Sequence, residues 1–383
     1  ESALWANVTS PRATTYSCSY DYGADYMMTA PIERANLVAR GTIKLADNHK
    51  MFVELTASRN EVVSVLTPAQ ISTNATAGNF YPVGGAYYQD LTAYIPTFDR
   101  TKPISYKWRA TPLGNRTQER VTDNARLLVG FDGAIGKWDY KLGVSRSRSE
   151  TDIALIDGYA YTQPLNAALA SGKINPWALP GQSQTPEAMA LIEAAKFKGG
   201  LQRGTTTLTQ VDGNISGELF DLPAGPLAMA AGFDFRREGY QFTEYTDASK
   251  IFLAPGNASL QESERDIRAV YAELLVPVTK DLELQLALRR DDYSLVGVTT
   301  NPKVAFRYQP MNNLLFRGSV NRGFLAPSFQ QLYSGSLDQE LSSGADDPVN
   351  CPSNPNDPRY CAIRMDYKSG GNPNLKPETS KQA

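Results

Sequence analysis

The chain has 383 residues, 42% of them hydrophobic and 20% charged, which suits one large domain or two to three ordinary ones and argues against disorder. Lys and Arg total 38 against 40 Asp and Glu, so a net charge of −2 offers no basic field for nucleic acid. No apolar run of about 20 residues occurs, which excludes a transmembrane helix.

No signal peptide is visible and Glu1 is not an initiator, so the chain reads as a mature or excised piece. From residue 36 onward a period-two pattern recurs, the mark of strands with one apolar and one polar face. In NLVARGTIKL (36–45), Leu37, Ala39, Gly41, Ile43 and Leu45 alternate with Asn36, Val38, Arg40, Thr42 and Lys44. The same alternation runs through 51–58, 124–131, 138–144, 214–220, 227–235 and 268–276. It is clearest in DLELQLALRR (281–290), where Leu282, Leu284, Leu286 and Leu288 oppose Glu283, Gln285, Ala287 and Arg289. Segments 303–308 and 314–321 follow, and an eleventh strand is expected near Glu378. Charges sit near the middle of the polar faces, among them Arg126, Lys141, Glu218, Asp234, Glu273, Arg307 and Arg317.

The connections alternate in length. Tight turns are expected at 46–49, 132–136, 221–225, 278–280 and 309–313. Between them lie links of about 64–117, 150–204, 246–263 and 323–377, with a medium one near 295–299. In an up-and-down meander alternate connections share an end, so all the long loops fall at one rim. Loops above about 15 residues are uncommon in compact soluble domains. Short turns at one end, long loops at the other, apolar residues outward and polar residues inward predict an all-β, antiparallel, up-and-down transmembrane β-barrel. Its leucines face lipid and need no separate core. Two stretches inside the long loops read as helices, 163–173 and 185–199, the second opening on Thr185-Pro186-Glu187.

Residues 264–380 carry more than periodicity. The strand VYAELLVP, followed by a turn and LELQLALRRDDYS, precedes RGSVNRGFLAPSFQQLY (317–333) and GNPNLKPETS (371–380). Together and in this order they resemble the barrel of TonB-dependent outer-membrane receptors. The resemblance is strong over the last third and architectural over 33–245. It implies a bacterial outer-membrane location and an outer-membrane lipid environment. It also implies a barrel of about 22 strands, an N-terminal plug, and a TonB-type energy-transducing protein acting through that plug. Neither plug nor box is visible, so residues 1–383 are expected to be a partial barrel domain, about half, lacking plug and C-terminal strands. The free strands near 36–45 and 378–383 then predict a longer native polypeptide or closure by other copies. The function implied is energised uptake of a scarce nutrient such as a siderophore, carbohydrate or peptide. Two other readings are a plug-less porin and a soluble secreted all-β binding or adhesion protein, although no blade repeat supports a propeller.

No enzyme is expected. His49 is the sole histidine, which leaves no catalytic triad, and no Walker or dinucleotide glycine pattern occurs. Asp291 and Asp292 adjoin on a strand, point to opposite faces and mark its extracellular end. Neither a cofactor nor a metal site is expected, since zinc wants four ligands. The Asn-x-Ser/Thr sites at Asn7, Asn74, Asn115, Asn214 and Asn257 read as chance matches in an outer-membrane protein. Pro327, Pro373 and Pro377 read as backbone shaping around the last loop.

Cys351 and Cys361 flank CPSNPNDPRYC, whose Pro, Asn and Asp residues favour turns. The alternatives are a disulfide in an oxidising medium or two free thiols. The reading adopted is a Cys351–Cys361 bridge stiffening a ligand-meeting loop, with Cys18 paired upstream; the competing outcome ties Cys18 to one of the two. Tyr81, Tyr87, Tyr88, Tyr94, Trp177 and Tyr360 are loop aromatics able to stack on a small-molecule or oligomeric nutrient, or to pack their own loops. No arginine cluster or histidine pair singles out a ferric catecholate or haem.

Overall fold

The computed structural model describes residues 6–9, 16–72, 80–179, 181–254, 260–335, 337–340, 345–353, 361 and 366–383. Eleven strands form one antiparallel sheet: β1 (Ile32–Ala46), β2 (His49–Pro68), β3 (Asn115–Ile135), β4 (Trp138–Ala160), β5 (Lys196–Leu222), β6 (Gly225–Glu244), β7 (Ser263–Thr279), β8 (Leu282–Tyr293), β9 (Gly297–Met311), β10 (Leu314–Leu325) and β11 (Glu378–Gln382). Each pairs with its neighbours in sequence order, as an up-and-down meander requires.

The register fixes the faces, because directly opposed residues of an antiparallel pair project to the same side. Leu284 lies opposite Phe306, and Phe306 opposite Gly318. Leu286 lies opposite Val304, and Val304 opposite Val320. One position along, Glu283 lies opposite Arg307, and Arg307 opposite Arg317. The apolar side is bare: Leu286 is 38% exposed, Phe306 44%, Phe316 50% and Val320 63%. No second sheet or helix covers these side chains among the described residues. The polar side is the hollow one. A cavity of about 590 Å³ there is lined by Glu283, Lys303, Arg307, Arg317 and Ser319, and another of about 300 Å³ by Asp139, Glu218 and Glu273. Trp138 and Tyr308 stand on the apolar side near the tight turns, where amphipathic rings favour a membrane boundary, with Phe316 opposite Tyr308.

Several strands are longer than their alternating segments announce. β4 runs to Ala160 rather than 144, and β5 is 27 residues long. The reason is physical: above the lipid an outward side chain meets water, so alternation fades while the backbone ladder continues. The links shorten accordingly, to 69–114 and 161–195, and the medium link near 295–299 is a three-residue turn into Gly297. Helix α1 spans Thr162–Ala170 and α2 Pro186–Ala195. The helix expected to reach 199 stops at Ala195, because Lys196 onward pairs with β4 through Ala160. A short helix α3, Phe329–Tyr333, was not foreseen.

Candidate ligand-facing rim and lumen wall

The two longest well-described loops fold together above the sheet. In 69–114, Gln70–Ser72 pairs with Lys107–Arg109, and Phe80–Tyr81 with Ile104–Ser105. In 161–195, Thr185 caps α2 by accepting from the Ala188 N–H at 3.2 Å, with Pro186 at its first position. The apolar faces meet in one core that includes Ile71, Leu113, Leu165, Ile174 and Ile192, all fully buried. A third loop docks beside them, where Ile251 bridges to Tyr161 and joins Leu155, Tyr159, Phe197 and Leu201.

Tyr81 is at the centre. Its hydroxyl donates to the Gly172 carbonyl at 2.6 Å and accepts from the Tyr87 N–H at 2.8 Å. The Trp177 ring stands edge-on at 4.7 Å. Gly172 follows α1 with φ +68°, a left-handed conformation, and a Cβ there would come within 2.9 Å of the Gly85 Cα. Burial raises the Tyr81 hydroxyl above the ordinary tyrosine range and pushes Tyr106 up to about 12. Tyr81, Tyr87 and Trp177 therefore knit the loops together. Tyr88 donates to the Lys102 carbonyl at 2.8 Å and lies 3.1 Å from that of Arg100. Tyr94 is 83% exposed at the tip of the same loop. Tyr360 lies outside the described residues. In this loop Asp90 and Asp99 each accept from the hydroxyl and N–H of the threonine two residues on, which holds both carboxyls below the usual range.

Below the rim the polar wall is ion-paired. Arg289 meets Asp291 at 2.9 Å and Asp234 at 3.6 Å, under the Tyr271 ring. Glu54 lies between Arg40 at 3.6 Å and Arg126 at 3.8 Å. Asp291 turns inward and is buried, whereas Asp292 is exposed, as opposite faces require. Sequence reasoning placed Arg126 and Asp234 on the polar faces but missed their ion pairs, for which the i, i+2 spacing of Arg289 and Asp291 was a further sign.

The connection after β10 folds back over the wall. Ser328 and Gln331 cap α3 reciprocally. Arg265 donates to Glu238 at 2.7 Å and to the Pro327 carbonyl at 2.7 Å, with the Phe329 ring 5.0 Å away. The Asn372 N–H donates to the Gln331 carbonyl at 2.8 Å, and that of Gly371 to Ser334 at 2.8 Å. The GFLAPSFQQLY and GNPNLKPE segments, far apart in sequence, are thus bonded neighbours. A cavity of about 510 Å³ extends below Phe329, lined by Asn36, Ser58, Arg126, Ser147 and Glu238 among others. Cys351 and Cys361 form a disulfide, with Cα atoms 5.1 Å apart. Asp346 lies close to both sulfurs, but joined sulfurs offer no thiolate ligand to a metal. The Cys18 side chain lies outside the described residues.

An amphipathic meander, bare and apolar outside, charged and hollow inside, with tight turns at one rim and packed loops at the other, is the wall of an outer-membrane β-barrel. A sequence model of the family described as TonB dependent receptor-like, beta-barrel matches residues 64–383, further toward the N-terminus than the motifs alone reach. The chain belongs to the TonB-dependent receptor family, whose members are transport receptors of the outer membrane rather than enzymes. A probable TonB-dependent siderophore receptor, PirA of Acinetobacter baumannii, is 30% identical over 128 residues, 33% of this chain and 15% of that protein. The crystal structure of the siderophore receptor PirA from Acinetobacter baumannii superposes with a TM-score of 0.52 at 15% identity, over 91% of this chain and 40% of that one. A mutant of the ferric enterobactin receptor PfeA from Pseudomonas aeruginosa gives 0.54 at 13% identity, over 98% of this chain and 42% of that one. The chain therefore spans about two fifths of the length of these structures, and at such identities the likeness is one of fold.

Proposed function

We propose that this chain forms part of the wall and rim of a TonB-coupled receptor that captures a scarce nutrient, a ferric siderophore first among the candidate classes. The observation that carries the reading is the pre-packed loop assembly set directly above an ion-paired lumen wall. A rim already ordered loses little entropy when a ligand docks. The names of the relatives favour a siderophore over a carbohydrate or peptide. In this reading residues 1–383 are a partial barrel, and a plug and further strands act with them. Ligand meets the rim, with the exposed Tyr94 foremost among its aromatics, and the TonB-type partner acts through the plug.

The test is uptake. Cells expressing the whole receptor, grown without iron, are given a panel of radiolabelled ferric siderophores. Accumulation of one of them that disappears on deleting the receptor and on collapsing the proton-motive force supports the proposal. Accumulation that persists without proton-motive force points to a passive pore and overturns it.

A further inference from the structure

One level of the inward face carries no charged side chain from β1 to β6. Asn36 lies opposite Ser58, Ser58 opposite Asn124, and Asn124 opposite Ser149. Ser149 in turn lies opposite Thr206, and Thr206 opposite Tyr240. Each of these strands therefore presents an amide or a hydroxyl at the same height. With neighbouring strands about 4.8 Å apart, the row is about 24 Å long. Two residues lower on the same face the charges return, as Arg126 and Glu238. Both are already paired, Arg126 with Glu54 at 3.8 Å and Glu238 with Arg265 at 2.7 Å.

Within the row the Asn124 amide donates to the Ser58 hydroxyl at 3.2 Å. Among the described residues, the side chains of Asn36, Ser149, Thr206 and Tyr240 make no hydrogen bond to the chain. The first five members of the row line the cavity of about 510 Å³ over which Phe329 stands. That ring is held in place. The Arg265 guanidinium lies 5.0 Å from its centre and is itself fixed by Glu238 and the Pro327 carbonyl.

We propose that this row binds an uncharged glycosyl group, carried either by a free oligosaccharide or by a ferric chelator to which a sugar is attached. The proposal rests on the capture reading above and adds to it one portion of the ligand. Amides and hydroxyls both donate and accept, as the hydroxyls of a sugar do. A neutral hydrogen bond contributes modestly, so such a ligand needs several of them in line. A ladder of evenly spaced strands supplies that line. The Phe329 ring offers an apolar face to the C–H side of a pyranose. An anionic group would call instead for unpaired guanidinium or ammonium groups. The arginines bordering this cavity are both engaged, Arg126 with Glu54 and Arg148, on the outward face, with Glu150.

The test uses the whole receptor in detergent. Titration calorimetry measures binding of maltotetraose, cellotetraose and mannotetraose, and of one ferric tris-catecholate with and without a glucosyl substituent. Wild type is compared with the S149A/T206V and F329L variants, each checked for folding by heat-dependent migration on gels. The expected result is binding of at least one tetrasaccharide, or tighter binding of the glucosylated chelate than of its parent. The first outcome identifies a free oligosaccharide as the source of the sugar, the second a sugar attached to the chelator. S149A/T206V should weaken the sugar-dependent binding about tenfold, and F329L several-fold. If no tetrasaccharide binds and the glucosyl group makes no difference, the proposal is overturned. It is equally overturned if sugar-dependent binding is the same in wild type and in folded S149A/T206V. Uptake of the parent chelate that needs the proton-motive force, with no effect of the sugar, would overturn this subsite and leave the capture reading standing.

Discussion

Asp291 is 1% exposed, and the guanidinium of Arg289, two residues earlier on the same face of the same strand, meets it at 2.9 Å. Taking one member from a buried pair leaves the other charge uncompensated, at a cost of about 3–5 kcal/mol. Arg289→Met is expected to fall in that range. Asp291→Asn should be milder, because Asp234 and the Tyr271 ring remain beside Arg289. Urea unfolding of the barrel in vesicles, run as a double-mutant cycle, checks this. Strictly additive effects would show that the two side chains are not coupled.

The assignment of faces predicts a sharp asymmetry between neighbouring strands. Leu286→Arg puts a charge on the lipid side and should destabilise the barrel by about 2–4 kcal/mol. Ser319→Arg points into the hollow and should change stability by less than about 1 kcal/mol. The same unfolding assay compares them; similar losses in both would contradict the assigned faces.

Tyr81→Phe removes the hydroxyl shared by Gly172 and Tyr87 without changing shape. The Tyr87 N–H then loses its partner, at a cost of about 1–3 kcal/mol, while the Gly172 carbonyl still accepts from the Ala86 N–H at 3.2 Å. The loss should be local. Hydrogen exchange of the Tyr87 amide should quicken and protease should nick 161–195, while strand amides stay protected. Unchanged exchange at Tyr87 would refute the linkage.

The loop core should respond to alkali. Tyr106 has its hydroxyl pushed up to about 12 by burial. Between the ordinary value near 10 and that figure, unpacked loops lose a proton that packed loops keep. Stability from this group is therefore full below pH 10 and is lost as pH rises toward 12. Ultraviolet titration should show late tyrosinate formation from Tyr106 and from Tyr20, which is likewise pushed up to about 12, and Tyr106→Phe should remove one tyrosine's amplitude from that phase. For Asp99 the sign is opposite, since its depressed carboxyl favours loop order at neutral pH and loses that effect as pH falls below the ordinary aspartate value.

The Cys351–Cys361 bridge closes a small loop and should stabilise it by about 3 kcal/mol in the chain-entropy model. Non-reducing peptide mapping should recover the two cysteines in one linked peptide. After reduction, protease should cut near 351–361 sooner while the sheet remains intact. Free thiols at both positions in the native protein would contradict the structure.

Period-two alternation revealed the sheet because lipid outside and polar groups inside impose opposite demands on successive residues. The opposition of Leu286 and Gln285 is written plainly for that reason. It fades above the bilayer, which is why the ends of β4 and β5 were illegible. The rim was harder still. Tyr81 and Tyr94 are alike as letters, yet one is buried at a loop junction and the other stands in water. That difference arises from the meeting of 69–114 with 161–195, and no local pattern encodes it. The contact between Asn372 and Gln331 was hidden likewise, although both segments had been noticed.

The order of the strands has a consequence for how such a protein diversifies. Each strand leans on its immediate predecessor or successor, so a connection at the loop rim only has to return the chain to the next position in line. The entropic cost of lengthening a connection is logarithmic, about 0.6 kcal/mol for each doubling. Insertions and exchanges there leave the ladder register untouched. Evolution can therefore try new binding surfaces on an unchanged chassis, and relatives of this chain are expected to differ most in the segments between β2 and β3, β4 and β5, and β10 and β11.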